Sequence, residues 1–181
     1  MRLAVAKWQD TYLIDEHNHR SGIMPTSINY RITQRFRVSA DRAYKWATDY
    51  DPADLELMHE SGSRKVEQLS EDTFLLTDTY QSNHEEVSKT KLVKLQPRDL
   101  SWTNTHLSGP AKYSQFLYKI TSEGKNNSRL DFVGLQLEPS EMTKKEVAEL
   151  ARRVRKEDSG AWKHLATAME KELLPQLKSK K

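Results

Sequence analysis

The stretch Ile28-Asn29-Tyr30-Arg31-Ile32-Thr33-Gln34-Arg35-Phe36-Arg37-Val38-Ser39-Ala40-Asp41-Arg42-Ala43-Tyr44-Lys45-Trp46 decides the architecture. Ile28, Tyr30, Ile32, Phe36 and Val38 alternate with Asn29, Arg31, Thr33, Arg35 and Arg37. That period of two gives one apolar and one charged face, which predicts an antiparallel strand wet on one side. Ser39 then reads as an N-cap for a short helix through Tyr44, Trp46 and Ala47. Asp51-Pro52 is a second helix start, because Asp51 accepts from orphan backbone N–H groups and Pro52 is pre-set for a first helical turn. The helix it opens carries Leu55, Leu57 and Met58 and ends at Ser61-Gly62.

Downstream, strand-like runs lie near residues 63–69, 73–81, 85–95, 100–106, 113–121 and 129–137. The breaks between them, Ser70-Glu71-Asp72, Ser82-Asn83, Pro97-Arg98-Asp99, Ser108-Gly109-Pro110 and Gly124-Lys125-Asn126-Asn127, have turn chemistry. Short strands at this spacing with no helices between them predict a meander of antiparallel neighbours. From Ser140 the period becomes helical. Val147, Leu150, Ala151, Val154, Ala161, Trp162, Leu165, Ala168, Met169, Leu173 and Leu177 form one stripe at spacings of three and four. Ser159-Gly160 interrupts it, so the reading is one kinked helix or two with Ser159 capping the second. Pro175 is expected to end the regular pattern.

A chain of 181 residues suits one domain with a sizeable core. Lys and Arg outnumber Asp and Glu by 29 to 26, so the net charge of +3 does not make a polycation. The densest basic clusters, Arg152-Arg153 with Arg155-Lys156, are interleaved with Glu146, Glu149, Glu157 and Asp158. That is the pattern of a solvated helix face, and no nucleic-acid partner is expected. The absence of cysteine excludes disulfides, thiolate metal sites and a cysteine nucleophile. No apolar run approaches a membrane span, and the start is unlike a signal peptide, so the expected location is cytoplasmic. His17 and His19 alternate without a third ligand nearby, so no metal is expected, and no cofactor motif or serine-hydrolase elbow is present. The expected organisation is an N-terminal arm or linker over residues 1–26, a domain over 27–178 and a basic tail over 179–181. The arm either packs on the domain or on another subunit, or is a disordered leader.

The order strand, two short helices, about six strands and one long helix resembles the START-like (SRPBCC) superfamily, which includes birch-pollen allergens, lipid-transfer START domains and bacterial aromatase/cyclases. The stretch Phe36 to Trp46, its continuation Ala47-Thr48-Asp49-Tyr50 and the closing amphipathic helix Ala161 to Leu174 are similar to the family's opening and closing elements. The resemblance covers about Ile28 to Leu177. The N-terminal arm and the charged segment Glu141 to Asp158 depart from it. It implies an α+β helix-grip fold: a curved antiparallel sheet of about seven strands wrapped around a long C-terminal helix, with two short helices after strand one. It also implies a cavity between sheet and helix for a small hydrophobic or amphipathic ligand such as a lipid, polyketide or aromatic compound. Such pockets run to roughly 300–1,000 Å³. No short catalytic signature belongs to the superfamily.

Strand parity and the helix stripe give the expected lining: Phe74, Leu76, Tyr80, Trp102, Asn104, Phe116, Tyr118, Phe132, Trp162, Leu165 and Met169. Val87, Lys89, Lys91, Val93 and Leu95 share a further face. Polar residues on an apolar parity are the informative ones, since a buried carboxylate must be paired, neutralised or wet. Asp78 lies between Leu76 and Tyr80, and His106 follows Trp102 and Asn104. If the two face each other they are the catalytic candidates, an acid–base pair with Tyr80 or Tyr118 as proton donor. They otherwise form a structural hydrogen bond. Three functions follow: a ligand carrier, a cyclase, aromatase or hydratase using those groups, and an assembly or chaperone-like module whose cavity is plugged by Phe74, Phe116, Tyr118 and Phe132. A homodimer through the N-terminal arm, or through the stripe Val147 to Val154 if that half of the helix overhangs the sheet, is the expected oligomer.

Overall fold

A computed structural model of the chain describes residues 25–57, 62–82 and 85–178. The arm up to residue 24, the tail 179–181, and Met58, His17, His19, His59 and His84 lie outside the described residues. The elements run β1 (Thr26–Phe36), α1 (Ala40–Ala47), α2 (Asp54–Leu57), β2 (Gly62–Ser70), β3 (Thr73–Ser82), β4 (Glu85–Gln96), β5 (Ser101–His106), β6 (Gln115–Ser122), β7 (Ser128–Glu138) and α3 (Lys144–Lys178). All seven strands form one antiparallel sheet in the order β1-β7-β6-β5-β4-β3-β2. β2 to β7 are thus a meander, and β1 closes it by pairing with β7 from Thr26↔Glu138 to Phe36↔Ser128. The sheet curves around α3 as the helix-grip reading requires.

The inner face follows the alternation of each strand. Ile28, Tyr30, Ile32 and Phe36 of β1 are buried, as are Leu130 and Phe132 of β7. Met169 of α3 is fully buried and Leu165 nearly so, and Trp162 packs its ring on Phe36, Trp102 and Tyr118. Each such side chain removed from water contributes roughly 1.5–3 kcal/mol. The helix stripe therefore points into the sheet, and its burial, more than helix propensity, holds α3 in place. Polar ties fix the ends. Thr143 and Glu146 form a reciprocal cap at the start of α3. The Thr26 hydroxyl donates to the Ser140 carbonyl at 2.9 Å and accepts from the Met142 N–H at 3.0 Å. Near the other end, the Trp46 indole donates to Glu172 at 2.7 Å and Arg42 to the Leu173 carbonyl at 2.9 Å.

Several expectations need correction. Ser39 stands at the N-cap of α1 with extended backbone, but its hydroxyl makes no capping bond. α3 passes through Ser159-Gly160 without a break, because the residues on either side are held against the sheet. Pro175 does not end the helix either. A proline near a C-terminus forfeits a single backbone bond, and the helix runs on to Lys178. The stripe in the first half of α3 does not overhang the sheet. Leu150 and Val154 are buried in the protein's own core, so that stripe needs no second subunit to cover it.

Candidate functional site

Between the inner face of the sheet and the middle of α3 lies a cavity of about 210 Å³, partly open to solvent. Its apolar wall is aromatic. Trp102 of β5 stacks on Tyr118 of β6 at 4.7 Å with nearly parallel rings, and Tyr118 meets Phe132 of β7 edge-on at 4.9 Å. Phe116 stacks on Phe132 at 5.9 Å, and Trp162 closes the far side. These rings come from adjacent strands because Trp102↔Tyr118 and Tyr118↔Phe132 are in register. Such cross-strand pairs contribute beyond their area.

Of the residues expected to line the cavity, Leu76, Trp102, Asn104, Phe116, Tyr118, Phe132, Trp162 and Leu165 do, and so does His106. Phe74 instead packs on the Tyr50 ring, Tyr80 lies under the Lys89 ammonium, and Met169 belongs to the solid core. The cavity is smaller than the range such folds were expected to have, because Phe116, Tyr118, Phe132 and Trp162 fill part of the gap.

The polar wall differs from the expected Asp78–His106 pair. Asp78 is fully buried, but its carboxylate accepts from Arg64 Nε at 2.7 Å and Arg64 Nη2 at 3.3 Å and is paired with Lys91. Strand register brings these groups together, since Arg64 is opposite Asp78 and Lys91 projects from the same face of β4. Burial pushes the Asp78 carboxyl up, but the bonds and charges of Arg64 and Lys91 together outweigh it and hold it below the usual range. Burial lowers the Lys91 ammonium, followed by its neighbour Lys89. Asp54 of α2 approaches Arg64 at 3.7 Å, and its carboxyl is pushed up to about 6, chiefly by burial. Two cations and two carboxylates thus form one closed network.

His106 faces this network without bonding to Asp78. Its Nδ1 is buried with no partner, and the neighbouring Pro110 carbonyl favours the protonated ring. With the proton on Nε2, Nδ1 is an acceptor. Burial, then the charges of Lys89 and Lys91, push its pKa down to about 3, so the imidazole is neutral at physiological pH. Next to it on the same face of β5, the Asn104 side-chain oxygen is also buried without a donor. On the helix side Asp158 accepts a short hydrogen bond from the Tyr30 hydroxyl, and burial raises its carboxyl pKa. Tyr30 reaches it by crossing Gly134 of β7, where a Cβ would lie 2.5 Å from the tyrosine ring. No cluster suited to a metal ion occurs among the described residues.

Arg64, Lys89, Lys91, Asp54 and Asp158 all line the cavity; strand parity placed Lys89 and Lys91 on an inward face, and sequence reasoning assigned none of the other three to it. Asp158 had a visible signal: it sits four residues after Val154 and four before Trp162, on the apolar stripe itself. Lys89 and Lys91 share the parity of Val87, Val93 and Leu95. Arg64 and Asp54 had no such mark.

This architecture is the START-like helix-grip fold. Among solved structures, the chain is similar to the Zhui aromatase/cyclase from Streptomyces sp. R1128, with a TM-score of 0.68, 11% identity, and 82% of this chain and 96% of that one covered. It is similar to Ara h 8.0201 at a TM-score of 0.66 and 11% identity, covering 81% of this chain and 100% of that one. Norcoclaurine synthase from Thalictrum flavum, solved with dopamine and hydroxybenzaldehyde, matches at a TM-score of 0.62 and 12% identity, over 83% and 88% of the two chains. The sequence matches no family profile and no curated relative. No helix among the described residues is long and apolar enough to cross a membrane.

Proposed function

We propose that the protein binds a small amphipathic compound, about one aromatic ring in size, in the cavity between its sheet and α3. The observation that carries this reading is the pair of buried polar atoms without partners, His106 Nδ1 and Asn104 Oδ1, on residues that line the cavity beside its aromatic wall. A buried polar atom without a partner costs about 1–3 kcal/mol. A ligand hydroxyl at this wall would recover that cost while its ring packs against Trp102, Tyr118 and Trp162. Size limits the class. An apolar cavity of about 150 Å³ takes benzene, so about 210 Å³ suits a substituted single ring and not a whole lipid or a multi-ring polyketide.

Titration with monocyclic phenols, followed by tryptophan emission and ligand-observed NMR, tests the reading. Binding is expected in the wild type and should be lost in Ala161→Phe, which puts a ring into the cavity. No binding at millimolar concentration, or equal binding by the filled variant, would refute it.

A reaction in the same cavity is the second reading, and Asp158 favours it. Its half-buried, raised carboxyl beside Tyr30 and Tyr118 has the setting of a proton donor. Asp78 is committed to Arg64 and Lys91, and His106 is too weak a base at neutral pH. An activity toward a bound phenolic carbonyl compound that survives Asp158→Asn unchanged would exclude this role.

A further inference from the structure

We infer that the occupant of the cavity is an acid, a hydroxylated single-ring carboxylate, and that Lys89 receives its carboxylate. The inference rests on the ligand-binding reading above and specifies the ligand's charge. Direct ion pairing at the polar wall leaves Lys89 without a carboxylate in contact among the described residues. Arg64 and Lys91 are matched by Asp78 and Asp54, two charges against two. Lys89 lines the same cavity, half-buried, and makes no ion pair among the described residues; its ammonium lies 5.8 Å from the centre of the Tyr80 ring. The other carboxyl at the wall, Asp158, accepts from the Tyr30 hydroxyl; it feels the Lys89 charge but forms no direct ion pair with it among the described residues. An aromatic, partly closed site strengthens any charge interaction within it, so an ammonium there without a carboxylate in contact favours a single negative charge on the occupant.

The remaining polar groups fix the other end. Lys91 and His106 are opposite each other in the β4–β5 register, so the lysine cluster and the unpaired histidine nitrogen are neighbours. An acceptor such as His106 Nδ1 does not welcome a carboxylate but does accept a hydroxyl. The ligand that answers both groups carries an anion for Lys89 and an O–H donor for His106 or Asn104, with the ring between them.

Calorimetric titration at pH 7 with para-hydroxybenzoate, its neutral analogue para-hydroxybenzamide, and tyramine separates the cases. The acid is expected to bind roughly tenfold or more tightly than the amide, the effect of one charge-assisted hydrogen bond. In Lys89→Gln that preference should vanish while the amide still binds, and an unchanged circular dichroism spectrum reports that the variant is folded. Lys89→Arg should restore it. Equal affinity for acid and amide, tighter binding of tyramine, or an acid preference intact in Lys89→Gln would overturn the inference and leave the ligand-binding reading standing. Failure of all three compounds, and of the neutral phenols, would overturn both.

Discussion

Replacing Asp78 by asparagine keeps the shape of the side chain and removes the charge at the centre of the buried network. In the native protein Asp78 is fully buried, and Arg64 and Lys91 are 4% and 12% exposed at the side chain. After the change two cations remain close together, with Asp54 at 3.7 Å from Arg64 as their only carboxylate among the described residues. Breaking a buried pair by removing one partner costs about 3–5 kcal/mol, and for a chain of this size each kcal/mol is about 2–4 °C in Tm. Urea unfolding followed by circular dichroism should therefore show a loss of about 3–5 kcal/mol, with Tm lowered by about 6–20 °C. Adding Lys91→Met to Asp78→Asn removes one stranded cation and should return about 1 kcal/mol or more. A single variant within about 1 kcal/mol of wild type, or a double variant no more stable than the single, would show that water or side-chain movement already relieves these charges.

Gly134→Ala would drive a methyl group into the Tyr30 ring; the expected cost is about 1–3 kcal/mol, with a changed near-ultraviolet dichroism as Tyr30 leaves Asp158. The pKa of His106 is lowered to about 3 in the folded protein against about 6.5 when unfolded. The unfolded chain therefore takes up that proton first. His106's contribution to stability is complete above about pH 6.5 and is lost as the pH falls toward 3. NMR should show its imidazole signals static from pH 8 to about 5, and His106→Gln should flatten the acid limb of the stability curve. Met169→Ala, at a fully buried position, should cost about 2–5 kcal/mol in the same urea assay.

Strand positions were legible because each strand of this sheet has one wet face. Thr73 to Gln81 and Glu85 to Leu95 were placed within a residue of β3 and β4, since a period of two survives even where lysines interrupt it. The turn before β6 was harder. Tyr113 has an apolar, strand-like side chain, but its φ of 69° puts it in the left-handed region, a backbone state that composition does not reveal. The site was legible only in part. The aromatic wall follows directly from parity, as Trp102, Tyr118 and Phe132 show. The polar wall does not, because Asp78 finds its partners through the β2–β3 and β3–β4 registers, and sequence alternation says which face a residue occupies but not which neighbour it meets. His106 was placed on the correct face and given the wrong partner for that reason.

The closing of β1 on β7 has a consequence for biosynthesis. Strands β2 to β7 each pair with the next one made, so a nascent chain can zip this hairpin series as it leaves the ribosome. β1 must wait for β7, and the greasy side of the whole series stays uncovered until α3 emerges last. Long-separation contacts of this kind slow folding and prolong exposure of sticky surface, so a transcript truncated ahead of Lys144 should yield an aggregating product.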